Sequence, residues 1–233
     1  MRILITRPEL DAARTAEKLR AAGHEVVVDS LLAIEPVAFE PPRGDYAALA
    51  ATSANALRAI TANPSIAKLK SLPLFALGVH TANAARLAGF VYIEIAGGDV
   101  CALGELLIRR LPADARVLYL AGERRARDLA AMTTPAKIAI ETLVVYRAKA
   151  AEGFSEATVG KLRARELDAV LHFSPRSAEI FVTLARKERL ESAFTSLRHL
   201  CLSDATAAAL PPGARAEIAP RPEEEALLAL LDA

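Results

Sequence analysis

The chain has 233 residues, of which 29 are lysine or arginine and 28 are aspartate or glutamate, so its formal net charge is +1. So small a charge argues against a protein that binds nucleic acids through a large positive field. Hydrophobic residues make up 53% of the chain, which argues against disorder and allows one large domain or two modest ones.

The cysteines and the uncharged runs indicate the setting in which the protein works. Cys101 and Cys201 stand alone, so neither a disulfide framework nor a zinc site is predicted. The first residues, MRILITRPEL, lack the pattern of a signal peptide. The longest uncharged run, residues 71–85, is too short and too polar to span a bilayer. We therefore expect a reduced, soluble, cytoplasmic protein without a membrane segment.

Hydrophobic patterns in the first half of the chain alternate between strands and helices. Short β-branched or aliphatic runs predict strands at residues 2–6, 25–29, 46–52, 73–77 and 91–95. Apolar residues at 3.6-residue spacing predict helices around residues 13–19 and 103–111. Gly23 and Gly89 lie where helix C-termini are expected. Strands that alternate with helices predict an open, parallel α/β sheet.

Two segments interrupt this alternation and predict a change of domain. Residues 31–45 contain Pro36, Pro41 and Pro42, which suit a linker or an edge strand better than a core element. Residues 141–154 hold the corresponding place in the second half of the chain. Periodicity alone leaves open whether the two domains are consecutive or interleaved.

An internal repeat relates the two halves of the sequence. Four pairs of segments match in the same order, at separations of 112 to 125 residues. The pairs are 26–34 with 138–146, the stretches around Ser53 and Ser174, 77–89 with 202–213, and 93–107 with 216–231. The first strands of the halves, RILIT and RVLYL, extend the series. The repeat predicts two domains of similar fold.

Small hydroxyl residues follow four predicted strands, at the points where helices begin. Ser53, Thr81, Ser174 and Thr206 each qualify as the N-cap of the following helix, and capping alone would explain any one of them. A helix N-terminus also presents free N–H groups and the positive end of the helix dipole. Ligands of open α/β sheets bind beyond the carboxyl ends of the strands, so four such termini facing one space predict an anion-binding cleft.

Arginines near strand ends are further candidates for this cleft. Arg7 and Arg176 directly follow predicted strands, and arginine suits bidentate contacts with carboxylates. Arg124, Arg125 and Arg127 form a basic loop after the strand VLYLAG, although solvated charges would explain this loop equally well.

Tyr146 and the histidines allow more than one interpretation. Tyr146 ends the apolar run TLVVY, where it either packs at a domain junction or reaches into a cleft. His24, His80, His172 and His199 have no metal-ligand spacing, so we expect them at the surface or in helix caps. The sequence contains no GxGxxG after the first strand, no P-loop motif, no GxSxG and no HExxH. Their absence disfavours the cofactor-binding and hydrolase versions of an α/β fold.

Seven short motifs, taken in order, resemble the uroporphyrinogen-III synthase family over essentially the whole chain. They are ITRP (5–8), ATSANA (51–56), LGVHTANAARLAG (77–89), LVVYRA (143–148), FSPRSA (173–178), ATAAAL (205–210) and RPEEEALLALL (221–231). The resemblance implies two similar open parallel-sheet α/β domains of the flavodoxin-like type, joined by a two-stranded connector. The implied domains are residues 1–36 with 150–233 and residues 40–143, and the implied connectors are residues 34–40 and 143–150.

The same resemblance implies an activity. The substrate would be hydroxymethylbilane, a linear tetrapyrrole with many carboxylates, bound in the cleft between the domains. The product would be uroporphyrinogen III, formed with loss of water and inversion of the last pyrrole ring through a spiro intermediate. No cofactor and no metal are implied. We expect a monomer that binds neither nucleic acid nor membranes. Whether it makes a transient contact with the preceding pathway enzyme is left undecided by the sequence.

Carried over position by position, the resemblance also gives roles to residues of this chain. Tyr146 would be the catalytic residue, because it would assist departure of the substrate's hydroxyl group. Arg7 and Arg176 would contact carboxylates. The other implied substrate-binding residues are Ser53, Asn55, Thr81, Ser174, Ser177 and Thr206.

Two places in the chain depart from the family's pattern. The family often has Arg-Gly where this chain has Ala121 and Gly122, so an arginine contribution is lost or passes to Arg124 or Arg125. The family often has Gly-Pro where this chain has a serine followed by Asp204, whose carboxylate suits an anionic ligand only if it points away or caps its helix. Two alternatives therefore stay open: a non-catalytic two-lobed protein that binds an anionic small ligand, and an inactive paralogue.

Overall fold

The structure, a computed structural model, describes residues 1–61, 63–124 and 128–232. The chain divides into two compact units, with boundaries a few residues from the expected positions 36 and 150. Unit 1 comprises Met1–Ala33 and Lys149–Ala233, and unit 2 comprises Ile34–Ala148. Unit 1 is therefore discontinuous in sequence, because the whole of unit 2 is inserted into it.

Strands and helices alternate along most of the chain. In chain order the strands are β1 (Arg2–Ile5), β2 (Glu25–Val28), β3 (Leu32–Pro36), β4 (Ala48–Ala51), β5 (Leu74–Ala76), β6 (Ile93–Ile95), β7 (Arg116–Gly122), β8 (Ala139–Ala150), β9 (Ala169–His172), β10 (Arg198–Cys201) and β11 (Arg215–Ile218). The α-helices are α1 (Glu9–Ala21), α2 (Ala54–Ile60), α3 (Val79–Leu87), α4 (Val100–Arg110), α5 (Leu129–Thr133), α6 (Glu156–Arg163), α7 (Pro175–Lys187), α8 (Ala193–Ser196), α9 (Asp204–Ala207) and α10 (Glu224–Leu228). Short 3-10 helices span Pro64–Leu69, Thr134–Ala136 and Ala229–Asp232.

Both units contain the same kind of doubly wound sheet. In unit 1 the strands lie in the order β2, β1, β9, β10, β11, and all neighbours are parallel. In unit 2 the order is β3, β8, β7, β4, β5, β6, and the neighbours from β8 to β6 are parallel. Without β3, the order in unit 1 is the 2-1-3-4-5 arrangement of flavodoxin-like folds, and the order in unit 2 is a circular permutation of it, 5-4-1-2-3 when its strands are numbered in chain order. The predicted fold of two similar open α/β domains is confirmed.

The internal repeat explains why unit 1 is discontinuous. By position in the sheets, β1 and β2 correspond to β7 and β8, and the last three strands of unit 1 correspond to β4, β5 and β6. Each unit therefore combines two strands from one half of the sequence with three strands from the other half. The segments matched by the repeat therefore occupy equivalent positions in the two sheets, one in each unit.

Apolar side chains fill both faces of each sheet, because helices cover both faces. Ile3, Leu4 and Ile5 of β1 have no exposed surface, and the same holds for every residue of β4. Ile3 and Ile5 belong to one apolar cluster and Leu4 to another, as expected when alternate side chains of a strand point to opposite faces. The buried strands form a rigid frame, and this frame fixes where the loops after the strands begin.

The pairing of β3 with β8 corresponds to the predicted two-stranded connector. The N–H of Val37 donates to the carbonyl of Val145, and the N–H of Ala151 donates to the carbonyl of Leu31, each at 3.0 Å. The partner numbers run in opposite directions, so this pair is antiparallel. Both passages of the chain from one unit to the other lie within these two strands.

Some elements differ from the sequence prediction. The strand expected at residues 46–52 is shorter, because β4 ends at Ala51 and the chain then turns into α2. Helix α6 was not predicted, and its buried residues are only Thr158 and Leu162. A helix that buries so little gives no clear 3.6-residue pattern.

Two histidines contradict the expectation of surface or cap positions. His172 and His199 have no exposed surface, because both lie on inner strands of unit 1. Nε2 of His199 lies 3.2 Å from the carbonyl of Ala193 and so carries the proton, and Nδ1 of His199 then accepts Nε2–H of His172 at 3.0 Å. Burial lowers the pKa of His199 to about 4 and the pKa of His172 well below its ordinary value. The pair is neutral at pH 7 and belongs to the core.

Candidate active site

The predicted site residues lie at the carboxyl ends of the strands in both sheets, and we call this region the carboxyl edge of each unit. The topological switch point lies between β1 and β9 in unit 1 and between β7 and β4 in unit 2. On the carboxyl edge of unit 1 lie Arg7, Ser174, Arg176, Ser177 and Thr206. On the carboxyl edge of unit 2 lie Ser53, Asn55, Thr81 and Tyr146. Each set is thus gathered on one edge of its own sheet.

Ser174 and Ser177 hold each other at the start of α7. Oγ of Ser174 accepts the N–H of Ser177 at 3.2 Å and lies 3.1 Å from the Ser177 hydroxyl. The Ser177 hydroxyl is also within 2.9 Å of the carbonyl of Ser174, to which it can donate. Pro175 occupies the first helical position, where no N–H is needed, and Arg176 follows it, half-buried. The predicted N-cap at Ser174 is confirmed, and both serine hydroxyls have partners within the helix start.

Thr206 is not the N-cap of α9, because that place belongs to Ser203. Oγ of Ser203 accepts the N–H of Thr206 at 3.3 Å and lies 3.0 Å from the Thr206 hydroxyl. Thr206 is the third helical residue, and 1% of its surface is exposed. Asp204 is exposed in the first turn, where the helix dipole favours a carboxylate. This helix start is closed by its own side chains.

Thr81 is likewise not an N-cap, since it is the third residue of α3 and Gly78 precedes the helix. Gly78 has no side chain to cap the helix, and the first turn of α3 contains no acidic residue. The N–H groups of Val79 and His80 therefore lack a partner among the described residues. Thr81 is 5% exposed, and within the same residues its hydroxyl makes no hydrogen bond. This helix start is open to a ligand.

Ser53 is the N-cap of α2, as predicted. Its Oγ accepts the N–H of Asn55 at 3.2 Å, and the side-chain oxygen of Asn55 accepts a hydrogen bond from Arg58 at 2.7 Å. Directly before the cap, the hydroxyl of Thr52 lies 2.8 Å from the phenol oxygen of Tyr119. Ser53 and Asn55 remain half-buried on the carboxyl edge.

Arg7 already binds a carboxylate of the chain itself. Its guanidinium donates to Glu224 at 2.8 Å and to the hydroxyl of Thr15 at 3.1 Å, and it stacks 4.0 Å over the ring of Phe173. Burial raises the pKa of Glu224, but hydrogen bonds from Lys18 and Arg7 outweigh it and leave that pKa below its ordinary value. Arg7 thus links the loop after β1 to α10, and the carboxylate of Glu224 balances its charge within unit 1.

Tyr146 reaches the carboxyl edge of unit 2 through a β-bulge. Residues of β7 and β8 pair in step as far as Ala121 and Val144, and the next pair joins Gly122 to Tyr146. The extra residue, Val145, is buried. The carbonyl of Tyr146 accepts the N–H of Glu123 at 3.0 Å, and its half-buried ring lies on Gly122.

The end of β7 and the loop after it show what stands in place of the arginine that the family often has before Gly122. Ala121 is 2% exposed and belongs to the apolar core, so no polar group replaces that arginine at its own position. Arg124 is exposed at the start of the loop. Arg125 and Arg127 lie outside the described residues.

The donor groups on both carboxyl edges suit an organic anion rather than a metal ion. They are helix N–H groups, hydroxyls and the guanidinium of Arg176, which together favour carboxylates. Among residues 1–61, 63–124 and 128–232, no three His, Cys, Asp or Glu side chains are grouped as metal ligands. In the same part of the chain, no helix is long and apolar enough to cross a membrane.

Sequence reasoning missed two glycines on the carboxyl edge of unit 2. Gly78 leaves α3 uncapped, and Gly122 makes room for the ring of Tyr146. A signal for Gly78 was present in the repeat, because the match of residues 77–89 with 202–213 sets it against Ser203. Nothing in the sequence pattern indicated the bulge that pairs Gly122 with Tyr146.

Fold and edge residues together define the class: an α/β protein of two flavodoxin-like units whose strand ends carry hydrogen-bond donors suited to anionic groups. The family model described as uroporphyrinogen-III synthase HemD matches residues 13–229, almost the whole chain. The chain belongs to the uroporphyrinogen-III synthase family, enzymes of tetrapyrrole biosynthesis that act on a small-molecule substrate.

Solved structures share the fold over the full length of the chain. Uroporphyrinogen-III synthetase from Helicobacter pylori 26695 is 20% identical, covers 99% of this chain and 98% of its own, and has a TM-score of 0.67. A mutant uroporphyrinogen III synthase from the extremely thermophilic bacterium Thermus thermophilus is 17% identical, covers 100% and 96%, and has a TM-score of 0.58. No curated protein matches the sequence significantly.

Proposed function

We propose that the protein is a cyclising hydro-lyase that converts hydroxymethylbilane to uroporphyrinogen III. The observation that carries this proposal is the family match over residues 13–229. It is supported by hydrogen-bond donors on the carboxyl edges of both units, since the substrate is a flexible chain of pyrroles with many carboxylates. We further propose that it acts as a monomer, without cofactor or metal.

The proposed reaction needs little acid or base and a great deal of positioning. The electron-rich first pyrrole expels its hydroxyl group as water and becomes an azafulvene. The substituted carbon of the last ring then attacks this centre and forms a spiro intermediate, which reopens and closes again with that ring inverted. Closure without the enzyme gives the symmetric isomer I. Holding the chain in a near-attack conformer therefore decides the product.

The start of α3 is the proposed principal anchor for a substrate carboxylate. Two N–H groups without internal partners, the positive end of a nine-residue helix and the hydroxyl of Thr81 converge there. Arg176 on α7 supplies a cation at the carboxyl edge of unit 1. The other proposed substrate-lining residues are Ser53, Asn55, Ser174 and Ser177. Thr206 is not among them, because its hydroxyl is already bonded to that of Ser203.

Tyr146 is the proposed catalytic residue. Its phenol would donate a hydrogen bond to the departing hydroxyl group and so assist the loss of water. One such donor adds a modest factor, because the pyrrole nitrogen supplies the electrons that break the bond. Arg7 holds the edge of unit 1 in shape and is not a proposed carboxylate contact, because Glu224 already occupies it.

An isomer assay tests the proposal. Freshly prepared hydroxymethylbilane is incubated with the protein, the products are oxidised to porphyrins, and isomers I and III are separated by chromatography. We expect isomer III to dominate and its share to rise with protein concentration. Isomer I alone, as in a control with heat-denatured protein, would contradict the proposal, and tight binding of the tetrapyrrole without turnover would favour the binding-protein alternative.

A further inference from the structure

Gly122 and the ring of Tyr146 occupy space that a side chain at residue 122 would fill. A Cβ placed on Gly122 would lie 2.7 Å from Cζ, 2.9 Å from the phenol oxygen and 3.0 Å from Cε2 of Tyr146. Such distances are far below van der Waals contact. The ring therefore lies directly on the backbone at the end of β7.

The β-bulge brings the two residues together. Alternation along β8 would place Tyr146 on the face opposite to Leu143 and Val145. With Val145 as the extra residue, the pairing skips one position, and Tyr146 instead packs against the apolar cluster that contains Leu143 and Val145. A bulge re-aims the side chain that follows it. The phenol oxygen thereby lies beside the last residue of β7, at the switch point of unit 2.

We infer that Gly122 is a positioning residue, whose missing Cβ fixes where the phenol of Tyr146 stands on the carboxyl edge. This inference rests on the proposed function of Tyr146. The backbone of Gly122 is outside the left-handed region, so alanine fits the strand without backbone strain. The contacts are with the far end of a side chain that can turn, so Gly122→Ala displaces the ring rather than unfolding unit 2.

The size of the displacement gives the size of the effect. Ordinary van der Waals contact begins at 3.4 Å, so Cζ has to retreat by about 0.7 Å from a Cβ at residue 122. A misplacement on the order of 1 Å can cost up to about 100-fold in rate when positioning dominates catalysis. We expect Gly122→Ala to lower kcat for isomer III about 10-fold and to leave KM within about 2-fold, because the glycine does not touch the carboxylate anchor.

The experiment separates ring position from activity. The protein is labelled with 13Cζ-tyrosine, which gives one resonance for each of Tyr46, Tyr92, Tyr119 and Tyr146, assigned by Tyr→Phe variants. Isomer III rates are measured for Gly122→Ala alone and in the Tyr146→Phe background. Gly160→Ala is the matched control, because Gly160 is exposed in α6 and nothing lies within 4 Å of an added Cβ.

The inference predicts a change confined to Tyr146. In Gly122→Ala the Tyr146 resonance shifts, and the resonances of the other three tyrosines do not. The isomer III rate falls about 10-fold. In the Tyr146→Phe background, which lacks the phenol oxygen, Gly122→Ala lowers the rate by less than about 2-fold. Gly160→Ala changes neither rate nor resonance. An unmoved Tyr146 resonance, an unchanged rate, or an equal loss in both backgrounds would overturn the inference. If the unaltered protein forms only isomer I, the proposed function is wrong and the positioning role is wrong with it. If Tyr146→Phe alone keeps the full rate, the tyrosine is not catalytic, and the inference is overturned on that ground.

Discussion

The helix starts after β5 and after β10 occupy equivalent places in the two units and differ in how their polar groups are satisfied. In unit 1, Ser203 caps α9, its hydroxyl bonds that of Thr206, and the short helix has four residues. In unit 2, Gly78 leaves α3 uncapped, and Thr81 has no hydrogen-bond partner among the described residues. The repeat has thus produced one closed and one open version of the same structural feature.

The cores of the units differ in a similar way. The equivalents of His172 and His199 in unit 2 are Ala51 and Leu74, both buried and apolar. Unit 1 therefore holds titratable groups in its core, whereas the histidine of unit 2, His80, is exposed on the carboxyl edge. The contrast predicts that unit 1 is sensitive to acid and that unit 2 carries the proposed anion site.

The largest expected effect is loss of unit 1 in acid. The folded-state pKa of His199, about 4, lies below its unfolded value of about 6.5, so the stabilisation is complete above pH 6.5 and is lost as pH falls toward 4. At 1.36 kcal/mol per pKa unit, the loss is on the order of 3 kcal/mol for this one residue. Hydrogen exchange, corrected for intrinsic rates, should show β9 and β10 losing protection before β4 and β5.

The His172→Leu/His199→Leu double variant is the control for this prediction. It removes both titrating groups, so the protection of β9 and β10 should no longer change between pH 6.5 and pH 4. Simultaneous loss of protection in both units of the unaltered protein would show that the histidine pair does not decide acid stability.

A negative charge at the start of α3 should cost the most activity. Gly78→Asp caps the helix and places a carboxylate where the substrate's carboxylate is proposed to bind, and nothing lies within 4 Å of an added Cβ. Repulsion between like charges costs several kcal/mol, so we expect KM to rise at least about 100-fold. Gly78→Asn is the matched neutral cap and should raise KM about 10-fold or less. Equal KM values for the two variants would place the anchor elsewhere.

Loss of the Tyr146 hydroxyl should have the next largest effect. Tyr146→Phe removes the proposed hydrogen bond to the leaving group and should lower kcat by one to two orders of magnitude at most. Tyr92→Phe is the matched control, because Tyr92 is exposed before β6 at the opposite edge of the sheet, and its kcat should not change. Complete loss of activity in folded Tyr146→Phe would mean that the phenol contributes more to the rate than positioning of the substrate does.

The smallest predicted effects separate the two threonines. Thr81→Val removes a hydroxyl without an internal partner, so we expect about 5-fold weaker binding of substrate and unchanged stability. Thr206→Val instead breaks the bond to Ser203, so it should lower the free energy of unfolding by about 1 kcal/mol with little effect on binding. Calorimetry and KM measurements on both variants check this, and the reverse assignment of effects would contradict it.

Much of the fold could be predicted because local patterns carry it. The strand runs, the repeat and the resemblance together indicated two flavodoxin-like units with the site residues at strand ends. The N-caps at Thr81 and Thr206 were predicted wrongly, because a hydroxyl near a helix start does not reveal at which residue the backbone turns helical. In both loops the cap lies three residues earlier, at Gly78 and Ser203.

Contacts between distant residues were the part that the sequence could not supply. Arg7 follows a strand end as an anion-binding arginine would, but Glu224, more than 200 residues away in sequence, binds it. The histidine pair joins residues 27 positions apart on neighbouring strands. Such pairings depend on strand order and register, which single-residue patterns do not encode.

Backbone amide mapping tests the central contrast most directly. Uniformly 15N-labelled protein is titrated with uroporphyrin III, the oxidised form of the proposed product, and the shift of each amide resonance is followed. The amides of Val79, His80 and Thr81 should shift most, while those from Asp204 to Thr206 should move little. Large shifts at residues 204–206 with none at residues 79–81 would contradict the assignment of the open anion site to unit 2.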